Sequence, residues 1–320
     1  MQIGVLTVLY NDLPITEVLD KVKAMGVTAV EIGTGGYPGN AHLNLDRLLE
    51  NRKVREAYQA EIAMRDLKIS ALSCHGNPIH PDPLVAKKAD DTFLKTIQLA
   101  MLMDVPVVNT FSGLPAGCET DKMPNWVTCP WPPHFLEMLK YQWDQVAIPY
   151  WKNAVAYAAD HGVKIGIEMH PGMLIYNVET MLRMREVTGP ALGANFDPSH
   201  LFWNGVDPIA AIRKLGKAIH HVHGKDCYVD PFNIIVNGCN DHKPYDQIQR
   251  RAWTFRTIGY GHGLSFWKDF VSALRLVGYN DVISIEHEDA MTSIDEGLSK
   301  AIALLKAAVM SQPAGDMFWA

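Results

Sequence analysis

Four short apolar runs in the second half of the chain each lead to a side chain able to hold a metal ion. Ile165-Gly166-Ile167 runs into Glu168, Ala194-Asn195-Phe196 into Asp197, His221-Val222 into His223, and Ser284-Ile285 into Glu286. Glu168 and Asp197 are 29 residues apart and Asp197 and His223 are 26 apart, each the length of one strand, helix and return. These side chains therefore occupy neighbouring strand ends. The 63 residues from His223 to Glu286 hold one such unit and a long insertion. Three carboxylates and an imidazole suit one divalent cation, with Mn2+ the first choice and Co2+, Mg2+ or Zn2+ the alternatives. Without a cation, like charges brought together in a pocket would repel and raise one another's pKa. Taken singly, each residue is more often a hydrogen-bonded strand-end carboxylate or a loop histidine than a ligand. Recurrence at equivalent places in successive units is what argues for a metal centre.

The elements that must carry these residues are legible as an alternation. β-Branched runs at Ile3–Leu9, Ala29–Ile32, Ile69–Cys74, Pro106–Phe111, Lys164–Glu168, Leu192–Asp197, Ile219–His223 and Val282–Glu286 read as eight strands. Between them the apolar residues take helical spacing, as in Phe266, Phe270, Ala273, Leu274 and Val277. Glycines close several of these helices just before the next strand, as in Met25-Gly26-Val27 and Val277-Gly278-Tyr279. Parallel strands need crossover helices, and eight of them close with a filled interior, so the expected fold is a (β/α)8 TIM barrel in one domain over residues 1–320. A doubly wound open sheet obeys the same alternation, but no glycine fingerprint follows the first strand. Residues beyond a plain barrel fall after the fourth strand (Gly113 to Phe135) and after the seventh (Gly224 to Gly263), on the face where such barrels place active sites. The segment 311–320 reads as a tail ending in Met317-Phe318-Trp319, expected to dock on its own barrel or on a partner subunit.

Composition narrows the partners. Lys+Arg 29 against Asp+Glu 35 gives a net charge of −6, which argues against a protein that depends on neutralising phosphates along a nucleic acid. No run reaches the length of a membrane span, and Ile3 to Tyr10 is stopped by Asn11-Asp12 without a basic leader. The five cysteines include no C-x-x-C pair, so a reducing cytoplasm is the expected compartment.

With these residues in place, the chain resembles the xylose isomerase-like superfamily of (β/α)8 barrels. The marks are Ile3-Gly4-Val5, Glu31-Ile32-Gly33, the step Asp197-x-x-His200, the step His223-x-Lys225-Asp226, and Glu286 at the last strand. The resemblance implies that Glu168, Asp197, His223 and Glu286 bind one catalytic divalent metal and that His200 contacts substrate beside it. It also implies a homodimer or homotetramer. The activity it implies is a metal-dependent sugar isomerase or epimerase acting on a ketose or keto-sugar through a metal-stabilised cis-enediolate. Glu168 and Glu286 are the expected pair of proton-transfer groups. The alternative is a lyase of the same superfamily, a dehydratase or a 3-keto-glycoside deglycosidase, which the aromatic loops favour. Superfamily endonucleases need three zinc ions, and their D-x-H step before the last strand is absent here; two-metal isomerases need further ligands, for which only Asp226 and Asp230 are at hand.

Further substrate contacts are expected at His75, Asn109, Lys225, Asp226 and His262, and stacking on a sugar face or aglycone at Tyr37, Trp126 and Trp131. Lys225 and Asp226 are also read as orienting His223. Each has a plainer reading: His75 bonded to loop backbone, Lys225 paired with Asp226, His262 on a surface turn, aromatic residues packed on their own barrel. Trp203 belongs to the same aromatic set, and Arg256 could fix a hydroxyl or a phosphate, although a lone arginine in a long loop is more often simply solvated.

Overall fold

The computed structural model describes all 320 residues, Met1 to Ala320. Its strands are β1 (Gln2–Leu6), β2 (Ala29–Gly33), β3 (Lys68–Ser73), β4 (Val107–Phe111), β5 (Lys164–Glu168), β6 (Leu192–Phe196), β7 (Ile219–Gly224), β8 (Asp226–Val229), β9 (Trp253–Arg256) and β10 (Val282–Ile285). All but β8 and β9 close into a parallel barrel in the order β1-β10-β7-β6-β5-β4-β3-β2, with β1 bonded on one side to β2 and on the other to β10. The expected (β/α)8 barrel is the fold. The two remaining strands pair antiparallel outside it, Asp226 opposite Arg256 and Val229 opposite Trp253, within what the sequence reads as a loop. At the N-terminus β1 stops at Leu6, and Thr7–Tyr10 turn into a 3-10 helix that keeps Thr7 and Tyr10 buried. The apolar run there is longer than the strand because the turn packs inward too.

Local chemistry sets the helix starts. Three helices begin with an Asp-Pro pair, at Asp82, Asp207 and Asp230, where the carboxylate accepts a backbone N–H of the first turn and proline supplies a fixed φ. Gly26 and Gly278 end their helices at φ +80° and +88°, in the left-handed region that a side chain disfavours.

Between strands and helices the core is aliphatic and aromatic, but the barrel interior carries a buried polar column. Glu31, Ser70, Asn109, Asn195, His221 and Ser284 are all buried there. Gly166 is required on β5, since a Cβ would lie 2.3 Å from Asn109 Oδ1. The active-face insertions follow β4 and β7 as expected. Met317, Phe318 and Trp319 are exposed, Phe318 at 92%, so the apolar end of the tail does not pack on its own barrel, although Arg275 donates to the Gln312 carbonyl at its start. No helix is long and apolar enough to cross a membrane.

Candidate metal centre and cavity

Glu168 ends β5, Asp197 follows β6, His223 lies on β7 and Glu286 follows β10. Parallel register brings these ends to one mouth, where one ligand-capable atom of each lies within 4.8 Å of all the others. His223 Nδ1 is 2.9 Å from Glu286 and 3.3 Å from Glu168. Asp197 Oδ2 and Glu286 Oε2 are buried oxygens without a well-aligned hydrogen-bond donor, their nearest neighbours being His200 Nε2 at 3.3 Å and His223 Nδ1 at 2.9 Å. Buried polar atoms are nearly always partnered, so two such oxygens beside an imidazole and a third carboxylate fit a divalent cation.

The second nitrogen of His223 faces Glu31, whose two oxygens each lie 3.0 Å from Nε2. Glu31 also accepts from Asn109 at 2.8 Å and from the Ser73 hydroxyl. It is wholly buried, and although burial alone would raise its pKa, His223 and His221 hold it below the usual carboxylate range. An ionised Glu31 accepts the Nε2 proton, so that Nδ1, which lies against Glu168 and Glu286, could give its lone pair to a cation bound at the centre.

Glu168 is braced from three sides. His75 Nε2 lies 3.0 Å from Oε2, Asn195 donates to the same oxygen at 3.2 Å, and His200 Nε2 lies 3.2 Å from Oε1. Burial pushes its pKa up, but hydrogen bonds from His200, His223 and His75 outweigh that and hold it well below the ordinary value. His200 itself loses charge preference through burial, yet neighbouring Asp197 lifts it to about 9. Lys225 Nζ reaches Glu286 at 3.1 Å and Glu288 at 2.8 Å. Burial raises the Glu286 carboxyl, and Lys225 together with His223 brings it down to about 2. Glu168 and Glu286 are therefore ionised at neutral pH.

A cavity of about 620 Å3 opens above the centre, with Glu168, Glu286, His75, His200, Lys225 and Tyr37 on its wall. The other expected contacts lie elsewhere. Asn109 sits beneath, bonded to Glu31 and His221, where it supports the floor. Asp226 is buried and turned into the Gly259–His262 turn; neither it nor Lys225 bonds His223, and the two do not pair with each other. His262 stacks on Phe202 at 3.7 Å and bonds Asp226, off the cavity wall. Trp126 packs edge-on against Tyr176 and Trp131 is 74% exposed, so the loop after β4 does not bring either to the cavity. Trp203 stacks on Trp253 at 4.4 Å, bracing the insertion. Arg256 stands on the rim, paired with Asp289.

Several wall residues escape sequence reasoning. Phe111 is the last residue of β4 and His170 lies just beyond β5, and parity along β4 and β5 could have flagged them. Tyr245, Phe255 and Met291 come from segments whose folding no local pattern announces.

Comparison with known proteins agrees with this architecture. A profile described as xylose isomerase-like TIM barrel matches residues 19–308, and the chain belongs to that family. It is 41% identical over 309 residues to the "Uncharacterized protein YfiH" of Bacillus subtilis (strain 168), covering 96% of this chain and 98% of that one. An inosose dehydratase of Geobacillus thermodenitrificans (strain NG80-2) is 28% identical over 147 residues, 45% of this chain and 47% of that protein. Among solved structures, the "probable 3-DHS dehydratase AsbF" of Bacillus anthracis superposes with a TM-score of 0.65 at 15% identity, over 96% of this chain and 99% of that chain. A D-tagatose 3-epimerase-like protein superposes at 0.61 and 21% identity, over 96% and 99%. At those identities the structural likeness speaks for the fold alone.

Proposed function

We propose that this protein is a divalent-metal-dependent isomerase or epimerase that moves a proton beside the carbonyl of a ketose or keto-sugar. The observation that carries the reading is the pairing of two ionised carboxylates, Glu168 and Glu286, on β strands three apart around one donor set that includes Asp197 and His223. A bound cation, Mn2+ in this proposal, supplies the Lewis acidity that lowers the pKa of the C–H next to the carbonyl. Glu168, held by His75 and His200, takes or returns a proton on one side of the substrate, and Glu286 does so on the other. Lys225 keeps Glu286 ionised and offers an Nζ proton to a substrate oxygen. Return of the proton to the opposite face gives epimerisation, and return to the adjacent carbon gives aldose–ketose isomerisation.

Similarity to dehydratases favours a second reading, elimination at the same site. There the C–H bond breaks to a glutamate, the β C–O bond breaks, and a C=C bond forms, with no co-reactant. Treating the protein with chelator, restoring Mn2+ and screening keto-sugars in deuterated water tests both readings. Deuterium uptake without release marks an isomerase or epimerase, and release of water, alcohol or phenol marks a lyase. Full activity in the metal-free protein refutes the metal-dependent proposal. A homodimer or homotetramer is part of the same proposal, read by size exclusion at several concentrations.

A further inference from the structure

Arg256 is the last residue of β9 and lines the cavity. Its side chain is 15% exposed, and the hydrogen bonds it makes all run through Nε, to Asp289 Oδ1 at 3.3 Å and Oδ2 at 3.2 Å. Asp289 is itself fixed by its surroundings: it accepts from the Thr257 N–H and hydroxyl at 2.8 Å each and from the Met291 N–H at 2.8 Å. The guanidinium carbon lies 5.4 Å from the centre of the Tyr260 ring. Anchored through Nε and backed by an aromatic face, the group has lost the freedom of a solvated arginine. Its terminal nitrogens, Nη1 and Nη2, have no partner and are not sealed within the protein. Two such N–H groups in one plane are the donor pair that a carboxylate accepts bidentately.

The other charges on the wall sharpen what this fork can take. Lys225, the second cation there, is 3% exposed and held by Glu286 at 3.1 Å and Glu288 at 2.8 Å. Glu288 and Asp289 also line the cavity, so the free edge of Arg256 stands among acidic neighbours. A phosphate would bring close to two negative charges past those carboxylates and offer three oxygens to one fork. A neutral sugar hydroxyl would leave donors of a largely buried cation unused. A single planar carboxylate matches both the charge and the geometry.

We infer that Arg256 determines substrate specificity, and that the keto-sugar bears a carboxylate remote from its reacting carbons, held by Nη1 and Nη2 while the carbonyl end lies over the metal floor. The substrate class is then a keto-sugar acid. The inference rests on the proton-transfer reading, and two series of measurements separate them. In the first, calorimetry on the Mn2+-loaded protein compares unreactive methyl β-glucoside, methyl β-glucuronide and methyl β-glucoside 6-phosphate. The glucuronide should bind tighter than the phosphate and about tenfold or more tighter than the glucoside, the scale of one hydrogen bond between charged partners. Equal affinity for the acid and the neutral sugar, or tightest binding of the phosphate, overturns the inference. In Arg256→Met the acid-to-neutral ratio should fall toward one, and in Arg256→Lys, which keeps the charge but loses the fork, it should fall part of the way. A native ratio in Arg256→Met overturns the inference, because the carboxylate would then be bound elsewhere, as on the metal. In the second series, keto-hexoses and the matching keto-hexuronates are followed in deuterated water with the native protein. Faster exchange of the neutral ketoses overturns the inference. Absence of deuterium uptake and of product release from both sets refutes the proton-transfer reading, while the calorimetric series still decides the role of Arg256.

Discussion

Replacing Glu31 by Gln isolates the role of the carboxylate behind the metal centre. In the native structure Glu31 accepts from Ser73, Asn109 and His223 Nε2, all within a site of zero exposure. The amide removes the charge and turns one acceptor into an NH2 group facing donors, so at least one of those bonds is lost. Hydrogen bonds to a charged group are worth roughly 1.5–3 kcal/mol each, and stability should fall by about that amount. The effect on metal binding is more specific. Without an anion at Nε2, His223 can place its proton on Nδ1, the nitrogen that faces Glu168 and Glu286. Loss of such outer partners typically weakens metal binding by about 10–100-fold. Calorimetric titration of Mn2+ into native and E31Q protein, with urea unfolding of each in the absence of metal, separates the two effects. Native-like Mn2+ affinity in a folded E31Q protein would refute the orienting role, whatever happens to its stability.

Three further outcomes follow from the geometry. Glu168→Gln and Glu286→Gln should each lower solvent exchange by about 100- to 10,000-fold, the usual scale for removing a general acid or base; rates within a few-fold of native for either variant would remove it from proton transfer. Gly166→Ala places a Cβ 2.3 Å from Asn109 Oδ1, so thermal unfolding should report a loss of about 1–3 kcal/mol, and an unchanged melting curve would show that the interior yields there. His220, bonded through Nδ1 to the Ile165 carbonyl, is lowered to about 4 chiefly by burial, so the folded state resists a proton that the unfolded chain accepts near 6.5. Its stabilising contribution is complete above pH 6.5 and declines as pH falls toward 4, by up to about 3 kcal/mol; urea unfolding between pH 7 and 4.5 should show a shallower decline in His220→Gln, and parallel curves would refute the assignment.

The parts of this molecule that were legible in sequence are those governed by period and spacing. Each barrel strand is a short apolar run, and a strand-end residue one βα unit from the next must share a mouth with it, which is why Glu168, Asp197 and His223 could be placed together before any coordinates. Glu31 was harder to see because it lies inside a strand reading Ala29-Val30-Glu31-Ile32-Gly33, where a carboxylate contradicts the pattern unless a partner is supplied from far along the chain. That partner, His223, is 192 residues away. The aromatic residues misled for a related reason: composition marks an aromatic loop, but only tertiary packing decides whether its rings face a cavity, a neighbour such as Tyr176, or solvent. The hairpin of β8 and β9 decides this for the insertion, bringing Phe255 inward and stacking Trp253 on Trp203.

The polar column in the barrel links these observations. An aliphatic interior would pack without unsatisfied groups, whereas here Asn195, Asn109, His221 and Glu31 are tied to one another and to the two residues above them, Glu168 and His223. Such a network confers advantage only if its members are satisfied together, since a buried polar group without a partner is expensive. At its upper end the satisfaction is incomplete: Asp197 Oδ2 and Glu286 Oε2 lack well-aligned donors. Asn109 Oδ1 and Ser284 Oγ within the column also lack partners, but the two carboxylate oxygens at the cavity floor are the open acceptors that carry charge, and they are placed to meet something that brings positive charge. Carboxylate acceptors left open beside an imidazole are the arrangement expected of a floor that receives a cation.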